Sequence, residues 1–388
     1  MLGAMAATSG TRASRGTAAR SGTRHAPKWT VPPVLVRQER NGIVESVHRG
    51  DIVEVDGTGR MRHVIGDPDR MVTLRSTVKP FGLVALLAAG GVAEFDLTTE
   101  ELAVMAASHS GEDLHVRTVQ AMYRRIGLAT SLLQTGTDGS PLDELTAARL
   151  ARDGERPSVL RHMCSGQHSV FVLLAKLGGW PLETYWEADH PASLAYGSAV
   201  ATMFGVRPDR LMTGVDGCGV QTYAFRLRDV ARAFAILADP TAIPADDPRA
   251  AIGAALLEIR DAMRAHPELV AGTRDRLDTS LMKALGGGIV SKSGVEALRG
   301  IAILPGARGS SPDSPASGMA IKIEDGDGHE RGTWSATVEA LRQVGAVDDG
   351  ALRALARYHR PVYTDPHGRT IAQAVAEFEL APVGELVD

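Results

Sequence analysis

Two short segments carry serine and lysine side chains at spacings suited to acyl transfer. In the first, Lys79 follows Ser76 by three residues and Pro80 comes next. Proline is tolerated only near the first turn of a helix, so this segment predicts a helix starting close to Ser76, with both side chains on one face. A partly desolvated lysine with a lowered pKa can take the proton of a serine hydroxyl. By itself, the spacing also fits a helix-capping serine beside a solvated lysine.

The second segment carries Lys292, which precedes Ser293 and Gly294 after a strand-like stretch. Between the two segments, Ser108 lies in a corner between predicted helices, where ordinary turn chemistry is the alternative explanation. Ser-x-x-Lys, then a loop serine, then Lys-Ser-Gly is the motif order of penicillin-recognising serine enzymes. If Lys79 and Lys292 converge on one pocket, each cation disfavours protonation of the other, so one amine can act as a base. The pattern favours a serine acyl-transfer enzyme.

The chain has two cysteines, Cys164 and Cys218, each in a short glycine-containing loop. This number excludes a disulfide framework and suits a reducing cytosol. Together with a nearby His168 or Asp216, two thiolates could hold zinc. Two inert buried thiols explain the same residues equally well.

Length and charge set the class of protein. The 388 residues are 44% hydrophobic and 23% charged, with a formal net charge of -4, which is typical of a globular protein in solution. That charge gives no electrostatic basis for a general nucleic-acid or anionic-membrane binder. The long uncharged stretches 80–93 and 190–206 are too short for a membrane helix. We therefore expect a small-molecule substrate, no nucleic acid and no membrane.

The chain divides into an extension and a folded unit. Residues 1–30 carry basic residues and no acid in a low-complexity mixture, which predicts a disordered basic extension. Residues 31–388 are predicted to form one catalytic unit.

Strand-like patterns lie at both ends of that unit and helical patterns lie between them. Sheet segments are predicted at about 31–75, with a hairpin turn at 56–59, and at about 286–345. The region of about 81–285 is predicted to be helical, with a capping box at Thr98 and Glu101. This order predicts an α+β fold, in which an antiparallel sheet from the N- and C-terminal segments encloses an inserted helical region.

Taken together, these motifs resemble the asparaginase II family, also called the class 3 or Rhizobium-type L-asparaginases. The resemblance runs from about Pro33 to about Leu341. The segments that carry it are 44–50, 75–80, 108–112, 164–168, 214–219, 277–282 and 320–326.

The resemblance implies an activity, a fold and a set of site residues. It implies hydrolysis of L-asparagine to L-aspartate and ammonia by a homodimer, on a fold similar to serine β-lactamases and glutaminases, and the cysteine content adds a cytoplasmic location. Ser76 is then the expected nucleophile with Lys79 as its base, and Ser108 with Lys292 relays the proton, although the two serines could exchange roles. The further residues expected to contact substrate are Arg75, Asp216, His168 and Glu112.

The resemblance also bears on a metal. Members of the family bind zinc through two cysteines and a lysine, which maps the metal ligands to Cys164 and Cys218. Gln167 stands in the place of the lysine. A neutral amide is a hard oxygen donor with little affinity for zinc. We therefore expect no required cofactor, with zinc as a possible addition.

Two other functions fit the same residues. The serine–lysine chemistry could act on glutamine, a β-lactam or a peptide amide, which makes a glutaminase, another amidase or a penicillin-interacting enzyme the first alternative. A non-catalytic amino-acid-binding homologue is the second alternative, because of the change at Gln167.

Overall fold

The computed structural model describes residues 30–136, 141–309, 311, 313–327 and 330–384. The predicted basic extension therefore lies outside the described residues, apart from Thr30. From Pro32 onward the chain forms one unit around a continuous buried hydrophobic core.

The main sheet takes strands from both ends of the chain, and every described pairing in it is antiparallel. Its strands are β1 (Val34–Arg40), β2 (Ile43–Asp56), β3 (Met61–Ile65), β7 (Ile289–Gly294), β8 (Leu298–Ile303), β9 (Ser317–Ile323), β10 (Val362–Thr364), β11 (Thr370–Ala376) and β12 (Ala381–Pro382). The order along the sheet is β10-β11-β1-β2-β9-β8-β7, and β3 pairs with both β2 and β12. Strand β2 therefore joins the N-terminal strands to the C-terminal ones.

The turn between β2 and β3 confirms the predicted hairpin. Asp56 accepts hydrogen bonds from the backbone N–H groups of Thr58 at 3.0 Å and Arg60 at 3.1 Å. An aspartate that bonds to the backbone a few residues ahead stabilises a tight turn. The local sequence therefore sets the register of this end of the sheet.

A second, smaller sheet has two of its three strands within the region predicted to be helical, and its third strand in the predicted sheet segment 31–75. Its strands are β4 (Met71–Thr73), β5 (Met212–Val215) and β6 (Gln221–Arg226), in the order β4-β6-β5. Sequence patterns did not predict this sheet or strands β10 to β12. Strands β4, β5, β10 and β12 have only two to four residues, which gives too few alternations of apolar and polar residues for them to be recognised.

Helices fill most of the middle of the chain. They are α1 (Lys79–Ala88), α2 (Gly91–Phe95), α3 (Thr99–Met105), α4 (Asp113–Ile126), α5 (Glu144–Asp153), α6 (Ser165–Gly178), α7 (Pro191–Phe204), α8 (Leu227–Ala238), α9 (Gly253–Ala265), α10 (Pro267–Val270), α11 (Leu277–Ala284), α12 (Arg331–Gln343), α13 (Asp349–Ala354) and α14 (Ala356–His359). The capping box of Thr98 and Glu101 is present at the start of α3, as predicted. Among the described residues, the helices lack the length and apolar character that a bilayer crossing requires.

Helix α8 packs closely on β8 and β9 because two glycines leave room for it. A methyl group on Gly300 would lie 1.9 Å from the ring of Phe234, and one on Gly318 would lie 2.0 Å from the carbonyl oxygen of Ala231. In the ladder between β7 and β8, Gly300 is the register partner of Lys292. The contact between Phe234 and Gly300 therefore fixes the sheet next to a predicted catalytic residue.

The predicted fold class is confirmed. The chain is α+β, and its antiparallel sheet is assembled from N- and C-terminal strands around an inserted, mainly helical region. Because the sheet needs strands from both ends of the chain, residues far apart in sequence lie close together at its β7 end.

Candidate active site

Ser76 and Lys79 lie where a short 3₁₀ turn leads into α1. The turn spans Arg75–Val78 and α1 begins at Lys79, with Pro80 in its first turn. The helical start predicted near Ser76 is thus present, but its first turn is 3₁₀ rather than α. Both side chains are buried, with exposed fractions of 5% for Ser76 and 1% for Lys79.

Ser108 lies in the loop between α3 and α4, and the backbone of this loop is tied to the end of α10. The N–H of Ser108 donates to the carbonyl of Val270 at 3.1 Å, and the N–H of Ser110 donates to that of Ala271 at 2.8 Å. The guanidinium of Arg276 donates to the carbonyl of Ser108 at 3.1 Å. These bonds hold the Ser108 hydroxyl in a defined position.

The hydroxyl of Ser108 accepts hydrogen bonds from two buried lysines. Its Oγ lies 3.0 Å from Lys79 Nζ and 2.9 Å from Lys292 Nζ. Lys79 also donates to the carbonyl of Ala107 at 2.7 Å, and Lys292 to that of Ser293 at 2.6 Å. Three of the four predicted serine and lysine side chains therefore form one hydrogen-bonded unit, Lys79–Ser108–Lys292.

Ser76 lies beside the strand that carries Lys292. A methyl group on Gly294 would lie 3.3 Å from the backbone nitrogen of Ser76, so the 3₁₀ turn and β7 are in contact. Within the described part of the chain, the Ser76 hydroxyl has no hydrogen-bond partner. That hydroxyl remains available to a bound molecule.

The surroundings of Lys292 disfavour its charged form. Burial lowers the pKa of Lys292 well below the ordinary value of an amine, and the positive charge of Lys79 lowers it further. An amine whose pKa is lowered in this way can be neutral near pH 7. A neutral amine at 2.9 Å from a hydroxyl can accept its proton.

Asp278 holds both neighbours of Lys292 in place. Its carboxylate accepts hydrogen bonds from the Ser291 hydroxyl at 2.6 Å and from the N–H and hydroxyl of Ser293 at 3.1 and 2.6 Å. Burial by itself would raise the pKa of Asp278, but the charge of Arg299 and the hydrogen bonds from Ser291 and Ser293 lower it. Sequence reasoning did not assign Asp278 to the site, and its only signal was its place in the family-like segment 277–282.

Arg75 and Asp216, both predicted to contact substrate, pair with each other. The Nε of Arg75 lies 2.8 Å from Asp216 Oδ1, and a terminal nitrogen of Arg75 lies 2.7 Å from the same oxygen. Arg75 has a φ of +46°, and its N–H donates to the hydroxyl of Thr222 at 2.9 Å. Both side chains are partly exposed. The pair therefore places an accessible cation and an accessible anion next to Ser76.

His168 is buried in the interior behind this site. Its Nδ1 lies 2.6 Å from the hydroxyl of Tyr185, and its Nε2 has no partner among the described residues. Burial lowers the pKa of His168 to about 4, so the ring is neutral at pH 7. The described hydrogen bonds of His168 do not reach the Lys79–Ser108–Lys292 unit.

Glu112 clamps two loops together. It accepts a hydrogen bond from the Ser110 hydroxyl at 2.6 Å, and others from the N–H and hydroxyl of Thr273 at 2.7 and 2.5 Å. Burial alone would raise the pKa of Glu112, but these hydrogen bonds and the charge of Arg274 hold it below its usual value. The structure therefore places Glu112 in the wall near Ser108, engaged with the protein itself.

Cys164 and Cys218 are brought together although they are distant in sequence. Cys164 precedes α6, and Cys218 lies between β5 and β6. The pKa of Cys164 is held well below its usual value by the hydrogen bond from the Cys218 thiol and by the charge of Lys79, against the effect of burial. Lys79 Nζ lies 3.3 Å from the Cys164 sulfur. The cysteines therefore border the lysine–serine unit.

Cys164 and Cys218 gain no zinc ligand from Gln167. The amide nitrogen of Gln167 donates to the hydroxyl of buried Tyr196 at 3.1 Å, so this side chain is engaged elsewhere. In the described ranges, no three His, Cys, Asp or Glu side chains form a group that could hold a metal. Protein zinc sites use three or four nitrogen, sulfur or carboxylate ligands. Two sulfurs do not supply that number.

Comparison of the sequence with profiles of known protein families finds a match to one family. The sequence profile described as L-asparaginase II matches residues 36–376. No curated protein sequence matches the chain.

Several solved structures, among them glutaminases, are similar to the chain. A Bacillus glutaminase in 4.3 M NaCl has a TM-score of 0.38 and 13% identity, over 76% of this chain and 90% of that one. A probable glutaminase from Bacillus subtilis, complexed with 6-diazo-5-oxo-L-norleucine, has a TM-score of 0.37 and 12% identity, over 76% of this chain and 83% of that one. The protein named Mglu has a TM-score of 0.36 and 17% identity, over 78% of this chain and 69% of that one.

The family match extends from β1 to the end of β11, so it includes every serine, lysine and cysteine described above. The chain is therefore an amidohydrolase of the L-asparaginase II family.

Proposed function

We propose that the chain hydrolyses L-asparagine to L-aspartate and ammonia through a serine acyl-enzyme. The observation that carries this proposal is the position of the Ser108 hydroxyl, 3.0 and 2.9 Å from the amines of Lys79 and Lys292. Membership of the family supports the substrate. The lowered pKa of Lys292 supports a neutral amine, which a serine needs in order to lose its proton at neutral pH.

In the first half-reaction, a serine hydroxyl attacks the side-chain amide carbon of asparagine, and its proton passes to the lysine pair. We assign the attack to Ser76 with Lys79 as base, and the proton relay to Ser108 with Lys292. The tetrahedral intermediate then loses its C–N bond while the lysine pair returns a proton to the nitrogen, which leaves as ammonia. A β-aspartyl ester remains on the enzyme.

In the second half-reaction, water gives a proton to the lysine pair and attacks the ester carbon. The C–O bond to the serine breaks, the serine recovers the proton, and aspartate leaves. Each step moves protons only among serine, lysine, substrate and water.

The hydrogen bonds also support an exchange of roles between the two serines, because Ser108 rather than Ser76 contacts both amines. Acid-quenching the enzyme during turnover and mapping its peptides by mass spectrometry distinguishes the two assignments. An aspartyl adduct on the peptide of Ser76 supports the first assignment, and an adduct on that of Ser108 supports the exchange.

For substrate recognition, we assign the α-carboxylate of asparagine to Arg75 and the α-ammonium to Asp216. The accessible ion pair between these residues supports the assignment, because a zwitterion can replace each partner with one of its own charges. His168 and Glu112 are assigned to the walls of the site, through Tyr185 and Thr273 respectively.

We further propose a cytoplasmic homodimer. Ile43, Val44 and Val47 of β2 are exposed apolar side chains close together on one strand, which supports coverage by a second copy. Both cysteines are free thiols, which supports a reducing compartment. Light scattering on a sizing column checks the dimer: twice the chain mass is expected, and a single chain mass contradicts it.

An ammonia-release assay with L-asparagine, L-glutamine and D-asparagine tests the activity. We expect release from L-asparagine and none from a Ser108→Ala control. No release at millimolar L-asparagine by folded protein contradicts the proposal. Faster release from L-glutamine would instead identify a glutaminase.

A further inference from the structure

A cavity of about 880 Å³ lies where the β2–β3 hairpin, α8 and the segment after β8 meet. It has no lining residue in common with the candidate active site. Apolar side chains, including Ala235, Ile236, Ile243 and Pro244, form part of its wall. Both its volume and its mixed lining are those of sites for small organic molecules.

Three arginines line this cavity, and two of them are neutralised locally. Arg62 pairs with Asp56 at 3.0 Å, and Arg249 pairs with Asp247 at 2.5 Å. Arg232 of α8 makes neither a hydrogen bond nor a salt bridge with any described residue, and its Nε is buried. A buried donor without an acceptor is uncommon in folded proteins, so this guanidinium is a candidate for binding a ligand.

A second polar atom lining the cavity is in the same situation. The Ser314 side chain is 5% exposed, and its hydroxyl has no partner among the residues that the structure describes. Of the other lining carboxylates, Asp239 accepts hydrogen bonds from the N–H and hydroxyl of Thr241, and Asp313 is exposed. The cavity thus offers an unpaired cation and an unpaired hydroxyl beside an apolar wall.

Burial disfavours the positive charge of Arg232, which also favours an anion beside it. The pKa of Arg232 is lowered by burial and then by the charge of Arg249, while the charges of Asp247, Asp229 and Asp56 act in the opposite direction. An anion placed on the guanidinium would relieve this cost. Guanidinium groups bind carboxylates through paired N–H donors, which makes a carboxylate the best-fitting anion.

We propose that this cavity binds an organic carboxylate with an apolar body. The carboxylate lies on Arg232, Ser314 supplies a further donor, and the body packs against Ile236 and Ile243. This site is separate from the proposed asparagine hydrolysis and does not depend on it.

Calorimetric titration of the full chain with octanoate, and with neutral 1-octanol as the matched ligand, tests the proposal. We expect saturable binding of one octanoate per chain and much weaker binding of octanol. Arg232→Gln is expected to weaken octanoate binding about tenfold or more, and Ser314→Ala to weaken it less. Arg228→Gln is the control, because Arg228 lies on the same helix but pairs with Asp69 at 2.9 Å and does not line the cavity.

Three results would overturn the proposal. They are no binding of millimolar octanoate by folded wild-type protein, equal affinity for octanoate and octanol, and equal affinity of wild-type and Arg232→Gln protein for octanoate. Circular dichroism establishes that each variant is folded. If Arg232→Gln does not fold, Ser314→Ala provides the same comparison, and affinity equal to wild type then counts against the site.

Discussion

Lys292 and Ser108 lie 184 positions apart in the sequence, yet the Nζ of Lys292 is 2.9 Å from the Oγ of Ser108. The contact joins the β7 end of the sheet to a loop of the helical region. Lys79 reaches the same oxygen from the start of α1. The serine hydroxyl is thus shared by two amines, and a change in any of the three residues alters the environment of the other two.

Removing Ser76 or either lysine of the site is expected to abolish most of the activity. Ser76→Ala and Lys79→Met should each lower kcat by about 10³-fold or more, because nucleophile and base act together. For the same reason, the Lys79→Met/Lys292→Met double variant should lose little more than either single variant. Steady-state ammonia release measures this. Lys283→Met, at an exposed lysine that pairs with Glu268, is the control, and wild-type turnover in Ser76→Ala or Lys79→Met would remove that residue from the scheme.

The low pKa of Lys292 predicts a dependence of stability on pH. In the unfolded chain this amine has a pKa of about 10.4. Between the lowered folded pKa and that value, the unfolded chain binds more protons, so wild-type stability rises with pH by up to about 1.4 kcal/mol per unit. Lys292→Met removes this effect.

Urea unfolding across about pH 6 to 9 measures the difference in unfolding free energy between Lys292→Met and wild type. The unfolding free energy of Lys292→Met should exceed that of wild type by the largest amount at low pH. This excess should shrink as the pH rises. Lys283→Met supplies the baseline for an exposed lysine. A difference that grows with pH would contradict a lowered pKa at Lys292.

Asp278→Asn is expected to destabilise the protein by about 3–5 kcal/mol, because Arg299 would keep a buried charge without its partner. Urea unfolding measures the loss. Asp275→Asn is the matched control, since Asp275 pairs with Arg357 at an exposed position, where such a change costs about 1 kcal/mol or less. Equal losses in the two variants would show that Asp278 does not organise β7.

Gly300→Ala is expected to cost about 1–3 kcal/mol or more, because the added methyl group overlaps the ring of Phe234. Since Gly300 is the register partner of Lys292, kcat should fall as well. Combining the change with Phe234→Leu should recover part of both losses. Gly57→Ala, where a methyl group meets nothing within 4 Å, serves as the control, and an unfolding midpoint unchanged by Gly300→Ala would contradict the close packing of α8.

Zinc content is expected to depend on Gln167. Elemental analysis of wild-type protein should find zinc well below one per chain, and dialysis against a chelator should leave activity unchanged. Gln167→Lys should raise zinc content, because an amine replaces an amide already bonded to Tyr196. Adding Cys164→Ser to that variant should remove the gain. Stoichiometric zinc in wild-type protein would show that two sulfurs and other donors suffice.

Local features of the fold were predictable because their signals lie within a few consecutive residues. Thr98 and Glu101 form the capping box at the start of α3, and Gly127 ends α4 with a φ of +74°. Asp56 marks the first hairpin in the same way. The α+β class followed from the order of these local patterns, with strands at both ends of the folded unit and helices between them.

Contacts between distant elements could not be obtained in this way. Sequence reasoning assigned one lysine to each serine, whereas the structure places both Lys79 and Lys292 on Ser108. That outcome depends on how α1, the loop after α3 and β7 pack against one another. Asp278 was not assigned for the same reason, since its partners Ser291 and Arg299 become neighbours only in the folded sheet.

The late position of β7 has a consequence for synthesis on the ribosome. A nascent chain contains Ser76, Lys79 and Ser108 well before Lys292 is translated, so it lacks one member of the proposed proton relay. Strand β1 also lacks a partner until β11 is synthesised, because the two strands pair through Val36 and Ala376. If the proposed scheme holds, unfinished polypeptides lack a complete site until translation has passed both strands.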